Sequence, residues 1–149
     1  MNPVRFLREL AIVLVLTGAC VWAVTRWIAI PWVVSGPSME PTLHDGDRVI
    51  VDLWSLRRRS PRTGEVVVVS GPGDVDLVKR VAREPYPGAN PYPAPVLAAE
   101  SPLEPTFIVL GDNLLASEDS RAFGSVPQHR FRGTVVWRYW PLSRSGRIE

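Results

Sequence analysis

Hydrophobic and polar positions change their rhythm once along this chain. From Leu10 to Thr25 the residues run LAIVLVLTGACVWAVT with no charge, between Glu9 and Arg26. Unbroken apolarity of this length predicts a helix, and its 16 residues would span roughly 24 Å. That is slightly short of a hydrocarbon core of about 30 Å. Snorkelling by Arg8 and Arg26, and the apolar WIAIPWVV that follows, can make up the difference.

Beyond Arg26 the pattern becomes extended. WIAIPWVV is rich in β-branched and aromatic residues, and Pro31 suits an edge strand. RVIVDLW (48–54), GEVVVVS (64–70), VDLVKRVAR (75–83), TFIVLG (106–111) and GTVVWRYW (133–140) all read as strands. Turn signals separate them: Asp45-Gly46, Gly71-Pro72-Gly73, and the proline-rich stretch from Pro85 to Pro95. The predicted architecture is mostly β, a small antiparallel domain preceded by one N-terminal transmembrane helix. Its parts are a short N-terminus (1–9), an anchor (10–25) and a domain (26–149) in which 85–105 is a proline-rich loop.

Three other readings of the first segment are open. A cleaved signal peptide has a similar charged start and apolar centre. A lipoprotein signal through Thr17-Gly18-Ala19-Cys20 carries threonine where an aliphatic residue is usual. A buried amphipathic helix would need a polar face that the run lacks. A retained anchor is the reading adopted. Arg5 and Arg8 precede it, which puts the amino end in the cytoplasm and the rest outside, as a single-pass protein of the cell membrane.

Composition narrows the chemistry. At 149 residues and 46% hydrophobic, the chain holds one compact domain with a core. A net charge of +2 gives no sign of nucleic acid binding. Arg57-Arg58-Arg59-Ser60-Pro61-Arg62 lacks the interleaved aromatics of such a surface and reads first as a solvated loop. Contact with anionic lipid headgroups is the alternative there. The lone Cys20 permits no intramolecular disulfide, and with only His44 and His129 besides, neither a metal site nor a cofactor is expected.

Of the 17 basic residues, 16 are arginine, and Lys79 is the only lysine. Lysine can lose its proton when desolvated, and arginine effectively cannot. Lys79 sits between aliphatic neighbours in DVDLVKRVA, on a strand that should be partly buried. Alternation sends Lys79 and Arg80 to opposite faces, so one can serve a site while the other forms an ion pair. A base active near neutrality must release its proton well below the range of free lysine, about 10.4, and burial acts in that direction.

Ser38 lies in SGPSMEPTLHDGDRVIVDL, where residues 35–42 are too small and turn-rich for a helix. A serine hydroxyl needs a base to become a nucleophile, and Lys79 suits better than His44 or His129. The loop FIVLGDNLLASEDSRAFGSVP is dense in side chains that bond backbone locally. It can be plain turn chemistry, or a scaffold that orients the base and holds an ion pair with Arg80 or Arg121.

Together these segments resemble the type I signal peptidase family, the Ser-Lys proteases of secretion. SGPSMEPTL is similar to its serine box, GDRVIV and GEVVVV to the strand boxes, LVKRV to the lysine box, and GDNLLASEDSRAFGSVP to the final box. The match runs in order from about Ser35 to Val136. The leucine after GDN, GPSMEPT and the closing WPLS are similar to the mitochondrial inner membrane peptidase branch.

The resemblance implies a catalytic Ser-Lys domain over 26–149, with Ser38 as nucleophile and Lys79 as general base. Ser117 would aim Lys79, and Asp119 would pair with Arg80 or Arg121. The Ser38 N–H would serve the oxyanion, Met39 would wall the pocket, and an extended substrate would add as a strand. The implied substrates are secreted or membrane preproteins with signal peptides, cut after small residues at the bilayer surface. That placement leaves room for association with the export machinery. Gly36 stands where some members carry a serine for the oxyanion hole, Leu114 replaces the usual arginine after GDN, and RVAREPYPG replaces RVxGxPGD. Only 31 residues separate Lys79 from Gly111, so the large second domain of some members is reduced to a loop. Two rival functions are a silent membrane-bound interaction scaffold and a dedicated maturation protease with few substrates. A self-cleaving regulator of the related fold would need a helix-turn-helix where the membrane span lies.

Overall fold

Helix α1, Pro3–Trp27, begins earlier and ends later than the uncharged run, and Arg5 and Glu9 pair one turn apart near its start. The computed structural model describes residues 3–82 and 104–148, without the side chains of 3 and 25–27. Val4–Val24 is long and apolar enough to cross a membrane, and none of it is buried by protein. The proline-rich loop of 85–105 lies outside the described residues except for Glu104 and Pro105.

The rest is mostly antiparallel β. The strands are β1 Ala29–Val33, β2 Arg48–Asp52, β3 Val66–Ser70, β4 Asp76–Val81, β5 Thr106–Phe107, β6 Val109–Leu110, β7 Val126–Pro127, β8 Phe131–Trp140 and β9 Gly146–Arg147. A short helix, α2 (Ser120–Phe123), precedes β7. The main sheet runs β1-β2-β8-β3-β4-β6, with β9 also on β8, and β5 pairs with β7 alone. Pro31 lies on the edge strand β1, where its missing N–H leaves no ladder position empty on the outer side.

The valines of β3 show why GEVVVVS does not alternate. Val67 and Val69 join one core with Leu56, Val81, Phe107, Val109, Phe123, Val126 and Phe131. Val66 and Val68 join the other with Val34, Met39, Leu43, Val49, Val51 and Val135. A strand covered on both faces carries apolar residues at every position. Phe107 and Phe131 meet edge to face, 5.4 Å between centroids. Each fully buried valine contributes on the order of 1.5–3 kcal/mol.

TFIVLG, expected as one strand, is two. Thr106–Phe107 pairs with β7, while Val109–Leu110 pairs with β4. Between them the Ile108 carbonyl accepts from the Ala82 N–H. The chain thus changes sheets within four residues and delivers Gly111 beside β4.

Candidate active site

The loop before β2 is built around a turn-rich frame. The Val34 N–H donates to the Asp47 carbonyl and the Gly46 N–H to that of Val34, 2.8 and 2.9 Å, which closes the loop at its base. Gly36 has φ +83°, the left-handed region that favours glycine, and its N–H donates to Asp45 Oδ1 at 2.8 Å. Met39 and Leu43 are wholly buried in the core beneath the loop. They anchor the loop from below and leave Ser38 half-buried above. Among the described residues, no hydrogen bond takes up the Ser38 N–H.

Lys79 is 2% exposed, and Nζ donates to Ser117 Oγ at 3.1 Å. The Ser117 hydroxyl in turn donates to Asp119 Oδ2 at 2.8 Å. Asp119 is fully buried and also accepts from the Gly111 N–H, the Arg121 N–H and the Arg121 guanidinium. The backbone bond to Arg121 makes it the N-cap of α2. Burial alone would raise this carboxyl; the bonds from Arg121, Gly111 and Ser117 overcome that and hold it at about 2. Burial lowers the pKa of Lys79, opposed by the negative charges of Asp119 and Glu118 and assisted by Arg121.

Arg80 faces the other way, as alternation requires. It grips Asp112 with Nε and a terminal nitrogen, 2.9 and 2.7 Å, and donates to the Gly64 carbonyl. Thr42 of the serine loop joins this pair, its hydroxyl donating to Asp112 at 2.6 Å. Of the two arginines offered to Asp119, Arg121 is the partner, and Arg80 belongs to Asp112.

Gly111 draws the pieces together. A Cβ built there would overlap Ser117 Oγ and come within 2.5 Å of the Ser38 carbonyl oxygen. The same carbonyl accepts from the Asn113 N–H at 3.0 Å. Ser38 and Ser117 therefore pack against one glycine, with Lys79 bonded to Ser117. Among the described residues no hydrogen bond joins Ser38 to Lys79.

Sequence reasoning missed Gly111, Thr42 and the choice of Asp112 for Arg80. It also missed Asp47, which is 1% exposed and accepts from Arg138, Arg144 and the His44 N–H. The GDN string was a signal for Asp112, since Arg80 needed an acid once Lys79 turned inward. Nothing local marked Asp47. His44 contacts Arg144, and His129 contacts Glu104, so each histidine has a partner other than Ser38. Among the described residues, no group of three His, Cys, Asp or Glu side chains could hold a metal.

Comparison with known proteins gives the family. Residues 7–85 and 102–140 match the family described as signal peptidase, peptidase S26. The chain is similar to signal peptidase IB of Staphylococcus aureus, 29% identical over 163 aligned positions that cover 80% of this chain and 82% of the relative. It is also similar to mitochondrial inner membrane protease subunit 1 of Xenopus tropicalis, 34% identical over 121 positions, covering 78% and 72% respectively.

Proposed function

Since the chain belongs to the signal peptidase family, peptidase S26, we propose that it is a membrane-bound serine endopeptidase that removes N-terminal signal peptides from exported preproteins. The observation that carries this reading is the buried sole lysine, bonded to Ser117 across the glycine against which Ser38 packs. Ser38 Oγ attacks the scissile carbonyl carbon while neutral Lys79 takes its proton. The resulting oxyanion receives the Ser38 N–H, a type of contact worth about 3 to 4 kcal/mol in acyl transfer. Protonated Lys79 then gives its proton to the leaving amine. Lys79 then takes a proton from water, whose oxygen attacks the acyl carbon, and returns that proton to the departing Ser38 Oγ, which restores the enzyme.

Supporting roles follow from the contacts. Ser117 aims Lys79, and Asp119 with Arg121 holds Ser117. The Gly36 N–H is committed to Asp45, so Gly36 serves by leaving space: a Cβ there would meet nothing within 4 Å. Met39 supports Ser38 from the core. β6 pairs with β4 only at Arg80 and Val81, so among the described residues Asp76–Val78 is an open edge. An extended substrate adds as a strand there, facing the segment before Ser38. In this reading α1 is a retained anchor and the site faces the outer side of the cell membrane, where a signal segment still in the bilayer can reach it.

The competing reading is a silent scaffold, and the missing Ser38–Lys79 hydrogen bond is the observation in its favour. Detergent-solubilised wild type, Ser38→Ala and Lys79→Arg, each offered a model preprotein, separate the two. Wild type is expected to cut after a small residue, and both variants to lose at least 10²- to 10⁴-fold while folded, roughly the effect of a positioned base. Inactive wild type, or full activity in Lys79→Arg, would sink the assignment. Activity should also rise with pH through the lowered pKa of Lys79, because only the neutral amine accepts the proton.

A further inference from the structure

We propose that the turn after β2, carrying Trp54, Arg57, Arg58 and Arg62, is a docking surface for the anionic lipid headgroups of the leaflet from which α1 emerges. The inference rests on α1 crossing the membrane and not on the peptidase reading. The apolar window of α1 ends at Val24, and its hydrogen bonding continues to Ile28, whose N–H donates to the Val24 carbonyl at 2.9 Å. Four residues of helical rise put Ile28 roughly 6 Å beyond the window. That is the depth of the headgroup layer, which adds about 5 to 8 Å on each side of the hydrocarbon.

The Ile28 carbonyl accepts directly from the Leu53 N–H, at 2.8 Å, and Ala29 pairs with Asp52. The turn that starts at Leu53 is therefore bonded to the chain at headgroup depth. Trp54 is 41% exposed there, and the Arg58 guanidinium lies 4.4 Å above its ring. Tryptophan favours this interface, and a guanidinium stacked on its face keeps its N–H donors free to fork onto phosphate oxygens. Arg57, Arg58 and Arg62 are exposed.

Among the described residues, neither Asp52 nor Glu65 pairs with the side chain of Arg58 or Arg62. Asp52 accepts from the Ser55 hydroxyl and from the Trp54 and Ser55 N–H groups. Glu65 is held by Arg59, which grips both its oxygens at 2.7 and 2.9 Å. Two acids thus stand against four arginines, and both acids have partners within the turn or beside it. Each arginine near an anionic surface raises local occupancy by roughly fivefold, and the effect decays within a Debye length.

The test uses the full chain in lipid nanodiscs, with hydrogen–deuterium exchange read over residues 53–62. Exchange there is expected to slow several-fold in discs containing phosphatidylglycerol relative to phosphatidylcholine alone. The slowing should vanish at high salt, and in the Arg57→Gln/Arg58→Gln/Arg62→Gln variant. Inorganic phosphate added to phosphatidylcholine discs should not reproduce it. Equal exchange in both lipids overturns the proposal, as does slowing that survives high salt; the salt arm needs no variant to fold. The readout involves no cleavage, so a protein without peptidase activity could still pass it, and an active one could fail.

Discussion

Lys79 sits among opposing influences: burial and Arg121 lower its pKa, while Asp119 and Glu118 raise it. Glu118 is exposed and makes no contact that the site needs, so Glu118→Gln is a clean probe. Removing that negative charge lowers the pKa of Lys79 further. The acidic limb of kcat/KM should then move to lower pH by a fraction of a unit, with little change on the plateau. A limb that stays in place or moves to higher pH would mean that the titrating group is not Lys79 beside Glu118. Asp119 supplies a separate signature in stability. Its carboxyl titrates at about 2 in the fold against 3.8 as the ordinary value. Stability from this group is fully present above its unfolded value and is lost as pH falls through about 2, a loss of roughly 2 kcal/mol. Asp119→Asn should remove this dependence in acid-unfolding titrations. It should also cost about 3 kcal/mol at neutral pH, because the buried position loses the charge to which Arg121, Gly111 and Ser117 donate.

Elements contribute by carrying groups that are distant in sequence to one place. The start of the final box is delivered by β6, and Gly111 lets it approach the serine loop. Gly111→Ala is predicted to push Ser38 and Ser117 apart, since backbone on one side cannot yield. The expected outcome is a loss of about 1–3 kcal/mol in thermal or denaturant unfolding, with cleavage reduced far more than stability. An alanine variant that retains full activity would show that the two serines need not share that contact. The serine loop is also gripped from the far end of the chain. Arg138 of β8 donates to the Thr42 carbonyl and to Asp47, and Arg144, in the turn after β8, donates to Asp47 at 2.8 Å. Asp47→Asn leaves two arginines facing a neutral buried group, at a cost of about 3–5 kcal/mol. Denaturant unfolding measures that cost, and a change under 1 kcal/mol would reduce the cluster to surface decoration.

At the scale of the molecule, the helix and the β domain are joined but do not share a core. Val4–Val24 is entirely unburied, and both apolar clusters lie within residues 30–148. A chain beginning at Ile28 is therefore predicted to keep the sheet, with far-UV circular dichroism of β type and a cooperative melt. Non-cooperative melting would show that α1 contributes to folding as well as to placement. On the function proposed above, an anchor of this kind would hold the site close to a segment that has not left the bilayer.

Local pattern by itself determined much of this protein. An unbroken uncharged run can only be buried or lipid-facing, so α1 was legible. Runs of β-branched residues bounded by Gly, Pro and Asp gave five of the longer strands, because strand spacing and turn chemistry are written within a few residues. The alternation at Lys79-Arg80 likewise implied that one cation faced inward and the other found an acid. Which acid it found was a matter of tertiary structure: the register of β6 on β4 brings Asp112 to Arg80 from 32 residues away, while Asp119 is taken locally by Arg121, two residues on. The division of TFIVLG between two sheets, and the meeting of Ser38 with Ser117 over Gly111, have the same origin. The grip of Arg138 and Arg144 on Asp47 spans 91 and 97 residues. Contacts of that range depend on how sheets pack and close, and no window of neighbouring residues records it.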